Sequence, residues 1–220
     1  MPCVSHCYDQ QEPIFDPSSS SSYSNVSCSS AQCSQNIKIG STCFYRVRYG
    51  DGSITEGFVA KERLTLSSAD ALDCFLFGCG HYNNGLFGRT ARLLGLGWAS
   101  ESLVSQTVQK YGSFFSFCLP TLSGSTGFLS FGSNGGNPNS IKFTNLGQNV
   151  HHPSYYYIDI VDIREGSQNL NGYSTVYIPK ITFLFCLAFT GNSDDNQIAI
   201  HGNYQQQKYQ VVYDVAGGRP

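Results

Sequence analysis

Hydrophobic and polar residues alternate over much of the chain, which predicts a protein built mainly from β-strands. Residues 43–66 alternate, turn at Gly50-Asp51-Gly52-Ser53 and alternate again, which is the pattern of a β-hairpin. Residues 102–111 instead carry apolar side chains at helical spacing, with Ser102 at the N-cap and Gly112 after the last turn. Apolar runs bounded by turn residues predict further strands or strand ends at 75–80, 93–97, 114–119, 127–132, 155–160, 178–189, 197–200 and 209–214.

Composition supports an all-β protein and excludes two classes of binding partner. The chain has 220 residues, enough for one β-rich domain or two small lobes with a buried core. Charged residues make up 13% and the net charge is -2, so neither nucleic acid nor an anionic membrane surface is an expected partner. No apolar run reaches the roughly 18 residues that a membrane span needs.

The cysteines favour disulfides formed in a secretory compartment. All nine are loosely spaced, with no CxxC pair and no paired His beside them. This spacing disfavours zinc, so neither a metal nor another cofactor is expected. Because nine is odd, at least one thiol is free or bonded to another chain. The start Met1-Pro2-Cys3 lacks the features of a signal peptide, so the chain is either a mature fragment or the product of an incomplete gene model.

Asn25-Val26-Ser27 is the one N-glycosylation sequon of the chain. The surrounding residues are polar, which predicts a loop with room for a glycan. A chance sequon accounts for these three residues equally well, and both interpretations stay open.

A series of short motifs occurs in order along most of the chain. They are CYDQ at 7–10, PIFDPS at 13–18, YGDGS at 49–53, FGCG at 77–80, NGLFG at 84–88, LLGLG at 93–97, SLVSQ at 102–106, FSFCLP at 115–120, CLAF at 186–189, GNSDD at 191–195, GNYQQ at 202–206 and VVYD at 211–214. Each motif is weak alone, but in this order they resemble the nepenthesin-like branch of the pepsin-type aspartic proteases of plants.

The resemblance implies a fold, a partner class and a location. It implies an all-β, pepsin-like acid-protease barrel with two lobes and few short helices. Residues 1–120 would form the N-terminal lobe with its Cys-rich insert and flap hairpin but without its first strand, and residues 121–220 a reduced C-terminal lobe. The expected partner is an extended peptide or protein substrate, the expected state a monomer, and the expected location the apoplast or secretory pathway.

The inherited activity would be peptide-bond hydrolysis by two aspartates, each in an Asp-Thr-Gly or Asp-Ser-Gly turn. Two such carboxylates share one proton, because like charges a few ångström apart cannot both ionise cheaply. None of the aspartates is followed by Thr or Ser; they are Asp9, Asp16, Asp51, Asp70, Asp73, Asp159, Asp162, Asp194, Asp195 and Asp214. The chain thus contains no catalytic residue of this kind, and we predict that it does not cleave peptides.

The flap of the family does have a match. By resemblance, Tyr49, Gly50, Asp51, Gly52 and Ser53 form a substrate-binding flap, with Tyr49 closing over the substrate and the glycines giving the tip its turn and mobility. On local sequence alone, an ordinary hairpin with a tyrosine on one face explains the same residues. The motifs along the rest of the chain favour the flap.

The resemblance also implies disulfides from Cys7 to Cys79 and from Cys28 to Cys43. The other five cysteines would then lack family partners, and Cys74 departs from the family pattern. Losing one native disulfide costs about 2–5 kcal/mol, against total stabilities of roughly 5–15 kcal/mol. The isolated chain is therefore expected either to fold poorly or to pair its cysteines differently.

Two alternatives to an inherited protease role stay open. The chain could be a secreted, non-catalytic binding or inhibitor-like protein, since the same plant fold includes inhibitors of cell-wall hydrolases. It could also be a non-functional, truncated gene product. The second alternative predicts that genomic sequence near Met1, between Asn169 and Gly172, and between Phe185 and Cys186 encodes missing segments, including both aspartate turns.

Overall fold

The structure is a computed structural model that describes most of the chain. The described residues are 8–33, 37–121, 125–132, 141–159, 164–165, 168–169, 176–180, 184–189 and 200–216. Of residues 164–165, 168–169, 176–180 and 184–189, only the backbone is described. The predicted strand at 197–199 and the GNSDD motif at 191–195 lie outside the described residues.

Strands predominate among the described elements, which confirms the predicted all-β class. In chain order they are β1 (Ser24–Asn25), β2 (Ile37–Ile39), β3 (Thr42–Arg48), β4 (Ile54–Ser67), β5 (Asp70–Asn84), β6 (Phe114–Cys118), β7 (Phe128–Phe131), β8 (Arg164–Glu165), β9 (Gln168–Asn169), β10 (Val176–Lys180), β11 (Leu184–Phe189) and β12 (Gln210–Asp214). The helices are α1 (Leu103–Gln106), α2 (Val108–Tyr111) and α3 (Asn203–Gln206), with 3-10 turns at Pro17–Ser19 and Ala31–Cys33.

The chain divides into two compact units, Met1–Thr107 and Val108–Pro220. The sequence-based division into lobes at residues 1–120 and 121–220 stays a prediction. Strand β6 pairs with β12 along its whole length, from Phe114 opposite Asp214 to Cys118 opposite Gln210, and this ladder joins it to the C-terminal unit. That the units correspond to a nearly complete first lobe and a reduced second lobe stays a prediction.

The first unit is organised around the long antiparallel pair of β4 and β5. Strand β4 also pairs with β1 and β3, and β3 pairs with β2, which completes a five-stranded sheet. The β4–β5 ladder is irregular between Glu56 and Gly57, where a bulge shifts the register. A Cβ atom at Gly57 would lie 1.9 Å from the carbonyl oxygen of Cys79, so only glycine fits this close approach.

A small apolar core lies on this sheet. The buried side chains of Val26, Cys33, Cys43 and Val59 form it, and Tyr45 and Leu76 pack against it. The N–H of Val26 donates to the carbonyl of Val59 at 3.0 Å, so the segment after β1 continues its contact with β4 into the core. Cys43 and Tyr45 lie two residues apart on β3, so the alternation of the strand places both side chains on the face that carries the core.

The second unit contains a three-stranded sheet in the order β12, β6, β7 and two strand pairs, β8–β9 and β10–β11. Its buried centre is Phe115, which is 1% exposed. The ring of Phe115 stacks on that of Tyr213 with 4.7 Å between centroids, and Tyr156 lies 6.2 Å away. The gap that was expected between Phe185 and Cys186 falls inside β11, which pairs with β10 across this point.

Three local predictions were wrong. Residues 93–97, predicted as a strand end, form no strand. The single helix predicted for residues 102–111 is interrupted at Thr107, whose hydroxyl donates to the carbonyl of Leu103 at 2.7 Å. Such back-bonding by Thr bends or interrupts a helix, although the predicted N-cap of Ser102 on the N–H of Ser105 is present. Of the strand predicted at 155–160, the described residues form one isolated bridge, between Tyr157 and Gly147.

Candidate functional site

Residues Tyr49–Ser53, called the flap tip below, form the turn between β3 and β4. The N–H of Tyr49 donates to the carbonyl of Ser53 at 2.8 Å, and the N–H of Gly52 donates to the carbonyl of Tyr49 at 3.0 Å. The carboxylate of Asp51 accepts from the N–H of Ser53 at 2.8 Å. Gly52 has a φ of 84°, which favours glycine at this position. The structure therefore places all five predicted flap residues in one closed turn.

A loop that follows β5, Gly85–Thr90, packs against the flap tip. Ser53 is 3% exposed, and its Oγ accepts from the N–H of Leu86 at 2.8 Å. Gly85 has a φ of 133°, and a Cβ atom there would lie 2.3 Å from the Oγ of Ser53. The two segments therefore touch closely enough that a side chain at Gly85 is excluded.

Aromatic rings extend this contact. The ring of Tyr49 meets the ring of Phe87 edge-on, with 5.9 Å between centroids. On its other side Phe87 stacks on Tyr8 at 5.4 Å, and the hydroxyl of Tyr8 donates to the carbonyl of Thr90. Sequence reasoning assigned no role to the loop, although the NGLFG motif at 84–88 was one of the matches to the family.

Between the flap tip and the loop lies a cleft of about 260 Å³. The described residues that line it are Tyr49, Asp51, Ser53, Leu86, Phe87, Thr90 and Leu93. Leu86 and Leu93 are 81% and 60% exposed, so the rim of the cleft presents apolar surface to solvent. The cleft is therefore an open, mostly apolar surface with a few polar groups.

Asp51 is the one carboxylate among these described lining residues. Its hydrogen bonds from Ser53 hold its pKa below the usual range for aspartate, so the ionised form is favoured. Burial raises the pKa of the Tyr49 phenol, and the charge of Asp51 adds to the rise, so the phenol stays neutral and can donate a hydrogen bond. A lone ionised carboxylate cannot act as the proton-sharing pair that pepsin-type catalysis requires.

A partly buried tyrosine, Tyr45, packs beneath the hairpin. The hydroxyl of Tyr45 lies 3.1 Å from that of Thr55, which donates to the side-chain oxygen of Asn83 at 2.7 Å. A Cβ atom at Gly78 would lie 2.6 Å from the Tyr45 ring, so glycine at this position makes room for it. Burial raises the pKa of Tyr45 to about 12. The sequence contains a signal for this packing, since glycine repeats in the FGCG motif at 77–80.

The cysteine pairing differs from the one that the resemblance implied. Cys43 is bonded to Cys33, with 5.6 Å between their Cα atoms, and Cys28 is a free thiol. The register explains the correction: the N–H of Cys43 donates to the carbonyl of Val26, while the N–H of Cys28 donates to that of Ser41. Val26 is therefore the residue opposite Cys43, and Cys28 lies two residues further along the chain. The 3-10 turn at Ala31–Cys33 brings Cys33 next to Cys43 instead.

Cys79 is also a free thiol, and its expected pairing with Cys7 stays a prediction. Burial raises the pKa of Cys79, which keeps its thiol protonated and unreactive near neutral pH. Cys7 lies outside the described residues. Cys74 and Cys118 are free as well.

The sequon asparagine lies in an edge strand, not in the polar loop that was predicted. Asn25 is exposed in β1, where it pairs with Ala60 of β4. Its side-chain oxygen accepts from the hydroxyl of Tyr23 at 2.7 Å. Because β1 has one neighbour in the sheet, its other side faces solvent and leaves room beside Asn25.

Among the described residues, no three His, Cys, Asp or Glu side chains are grouped so that they could hold a metal ion. None of the described helices combines the length and the apolar character needed to cross a membrane.

Comparisons with known proteins give consistent results. The family model described as "Xylanase inhibitor N-terminal" matches residues 1–133. An aspartyl protease family protein of Arabidopsis thaliana is 38% identical, with 99% of this chain and 64% of that protein aligned. Aspartic proteinase nepenthesin-2 of Nepenthes gracilis is 37% identical, over 83% of this chain and 40% of its own length. Among solved structures, basic 7S globulin from soybean matches with a TM-score of 0.55 and 22% identity, over 69% of this chain and 49% of the globulin.

The β-rich architecture and its similarity to the soybean globulin define a pepsin-like fold. The family model and the plant relatives go one step further: the chain belongs to the nepenthesin-like, pepsin-type family of plant aspartic proteases. It spans about two thirds of the Arabidopsis relative, 64% of its length. The predicted family and fold are therefore confirmed.

Proposed function

We propose that this chain binds an extended peptide segment in the cleft beneath its flap tip and does not hydrolyse it. The observation that carries the proposal is an assembled flap tip over a cleft to which the described residues contribute one carboxylate, Asp51. Hydrolysis in this family needs a neutral and an ionised carboxylate side by side. Asp51 has a lowered pKa and lies at the turn itself, so it supplies at most the ionised member.

The sequence supports the absence of hydrolysis. None of its aspartates is followed by Thr or Ser. The alignment with the Arabidopsis relative covers 99% of this chain and extends over 305 positions, more than the 220 residues of the chain. That alignment therefore places gaps inside this chain, which agrees with the expectation that internal segments of the family are missing.

The chemistry of the cleft favours apolar side chains on the bound peptide. Leu86, Phe87 and Leu93 supply apolar surface, and the ring of Tyr49 adds an aromatic edge. The backbone of the flap tip can add strand-like hydrogen bonds to an extended ligand, while the apolar surface selects its side chains. An extended peptide with a large aliphatic or aromatic residue is the ligand we expect.

Two assays on the purified chain test this proposal. In the first, a denatured protein substrate is incubated at acid pH with and without a pepstatin-type inhibitor, and we expect no turnover. Inhibitor-sensitive hydrolysis would contradict the proposal and would mean that other carboxylates assemble a catalytic pair.

In the second assay, binding of a fluorescent pepstatin-type peptide is measured by anisotropy. We expect saturable binding that Tyr49→Ala weakens about tenfold or more, since aromatic anchors contribute most of the energy at such sites. Tyr209→Ala is the matched control, because Tyr209 is an exposed tyrosine of the other unit. Equal binding by both variants would exclude the flap cleft as the site. A chain without a cooperative unfolding transition would favour a non-functional gene product.

A second candidate is inhibition of a cell-wall hydrolase. It is favoured by the family model, whose description refers to an N-terminal xylanase inhibitor domain and which matches residues 1–133. Xylanase activity is measured while the chain is added in increasing amounts. A saturable loss of activity would support this candidate, and unchanged activity at micromolar chain would exclude it for the enzyme tested.

We also propose that the chain is made in the secretory pathway and carries an N-linked glycan on Asn25. The Cys33–Cys43 disulfide supports an oxidising compartment, and the exposed edge position of Asn25 leaves room for the sugar. After expression in a eukaryotic secretory host, a peptide-N-glycosidase should reduce the mass of the chain. Asn25→Gln and Ser27→Ala should abolish that shift, and a mass unaffected by the enzyme would contradict the assignment.

A further inference from the structure

We propose that Ser53, Gly85 and Phe87 form a latch that ties the flap tip to the loop Gly85–Thr90, so that both segments open and close over the cleft as one unit. The consequence for ligand entry rests on the proposed peptide binding. The latch itself is a property of the free chain and is tested without any ligand.

The first part of the latch continues the β4–β5 ladder by one step. Ile54 pairs with Asn84 at the end of that ladder, so Ser53 and Gly85 are the next residues on the two strands. Here the ladder is replaced by the contact of the buried Ser53 side chain with Gly85 and by the bond from the N–H of Leu86 to the Ser53 hydroxyl. A Cβ atom at Gly85 would lie 2.3 Å from the Oγ of Ser53, so Gly85 leaves the space between the two backbones to the Ser53 side chain.

The second part is aromatic. The ring of Phe87 contacts the ring of Tyr49 in the flap tip and also that of Tyr8, so one ring of the loop contacts both segments. The N–H of Gln11 donates to the carbonyl of Arg89 at 3.0 Å, which adds a backbone bond between the loop and the segment that contains Tyr8. The loop is therefore held on one side by the flap tip and on the other by residues 8–11.

Hydrogen bonds within the flap tip hold it in one conformation, so we expect it to move as a rigid piece. Two backbone bonds close the turn between Tyr49 and Ser53, and the Asp51 carboxylate adds a third. The nearest irregularity in the sheet is the bulge between Glu56 and Gly57, where pairing with β5 shifts register. If the end of the hairpin moves about this bulge, the flap tip and the loop move together, because Ser53 and Phe87 connect them.

Hydrogen exchange measured by mass spectrometry on the full chain tests the latch. Ser53→Ala removes the hydroxyl, and we expect exchange to become about fivefold faster in both peptides, one covering 49–53 and one covering 86–90. Fivefold corresponds to about 1 kcal/mol, the usual contribution of one hydrogen bond. Phe87→Leu removes the ring but keeps an apolar side chain, and it should accelerate the same two peptides.

Matched controls separate the latch from general destabilisation. Ser116→Ala removes an equally buried hydroxyl in the other unit, and Phe44→Leu removes a ring with a similar edge-on partner, Phe58. Neither control should accelerate exchange in 49–53 or 86–90. Urea midpoints of all variants are measured beside exchange, so that a global loss of stability is recognised.

The two outcomes that would overturn the latch are distinct. If Ser53→Ala accelerates exchange in 86–90 alone, Ser53 is a local cap and the flap tip moves independently. If exchange rises equally over all of β4 and β5, the variant destabilises the sheet as a whole. Suppose that the fluorescent ligand does not bind but Ser53→Ala accelerates exchange in 49–53 and in 86–90 together. The latch would then stand, and only the proposed function would be contradicted.

Discussion

In the first unit, two strands of 14 and 15 residues, β4 and β5, pair with each other, and a disulfide from Cys33 to Cys43 closes the core beside them. In the second unit, the described core consists of Val212 and of aromatic rings packed on the short strands β6, β7 and β12. There, the single buried ring of Phe115 contacts those of Phe117, Phe131, Tyr156 and Tyr213.

This difference indicates how each unit responds to damage. A long ladder shares its stability among many backbone hydrogen bonds, so one end can open while the rest stays paired. A cluster built around one ring depends on that ring, because its removal leaves a cavity and exposes several partners at once. We therefore expect the first unit to open locally at the flap tip, and the core of the second unit to be lost as a whole.

The largest expected effect is that of Phe115→Ala on the second unit. Removing a buried phenylalanine costs about 3–5 kcal/mol, a large part of the stability of a small domain. Hydrogen exchange during urea unfolding, followed separately for peptides of each unit, should show the loss in β6, β7 and β12. Phe128→Ala, which removes a half-exposed ring of the same sheet, should cost less than about 1 kcal/mol. Equal losses in β4 and β5 would contradict the division into separately stabilised units.

The next largest effect concerns the disulfide of the first unit. Cys33→Ser should lower the free energy of unfolding of that unit by about 2–4 kcal/mol, because the cross-link restricts the unfolded chain. Cys28→Ser is the matched control, since it removes a free thiol close to the same core. Urea unfolding of both variants distinguishes the observed pairing from the one implied by the family. If Cys28→Ser were the more damaging change, the Cys28–Cys43 bond would be the one that forms in solution.

Local features of the site could be predicted from sequence, and contacts between distant segments could not. The turn at 49–53 was predicted because Gly50 and Gly52 follow an alternating strand, and such turn signals act over a few residues. The contact between Ser53 and Gly85 depends instead on the register of β4 against β5, which no local pattern specifies. The glycine at position 85, within the NGLFG motif, is the sequence feature that agrees with this contact, since its positive φ and the close approach of Ser53 both favour glycine.

The cysteines illustrate the same limit. Three of them, Cys28, Cys33 and Cys43, lie within a short stretch, and spacing allows any two of them to pair. The hydrogen bonds from Cys28 to Ser41 and from Cys43 to Val26 decide the register and hence the partner. The helix break at Thr107 is a smaller case, because its hydroxyl bond to Leu103 competes with the helical pattern.

The smallest effect, and the one that compares the two units most directly, is the loss of stability at high pH. Burial raises the pKa of Tyr45 in the first unit and of Tyr156 in the second, each to about 12, compared with about 10 in an unfolded chain. Since the folded state keeps these protons to a higher pH, the stabilisation is complete below about pH 10 and is lost between pH 10 and 12. Burial of Cys79 acts in the same direction in the first unit.

Tyr45→Phe should therefore reduce the loss of unfolding free energy of the first unit between pH 10 and 12 by about 2 kcal/mol or less. At neutral pH the same change should cost about 1 kcal/mol, because the bond to Thr55 is lost. Tyr156→Phe should flatten the decline of the second unit by a smaller amount, because Tyr156 is less deeply buried and solvent screens its charge. Urea unfolding followed by hydrogen exchange from pH 9 to 12 measures each unit separately. A decline in the first unit that Tyr45→Phe leaves unchanged would mean that other groups, Cys79 foremost, set the alkaline limit of the flap-bearing sheet.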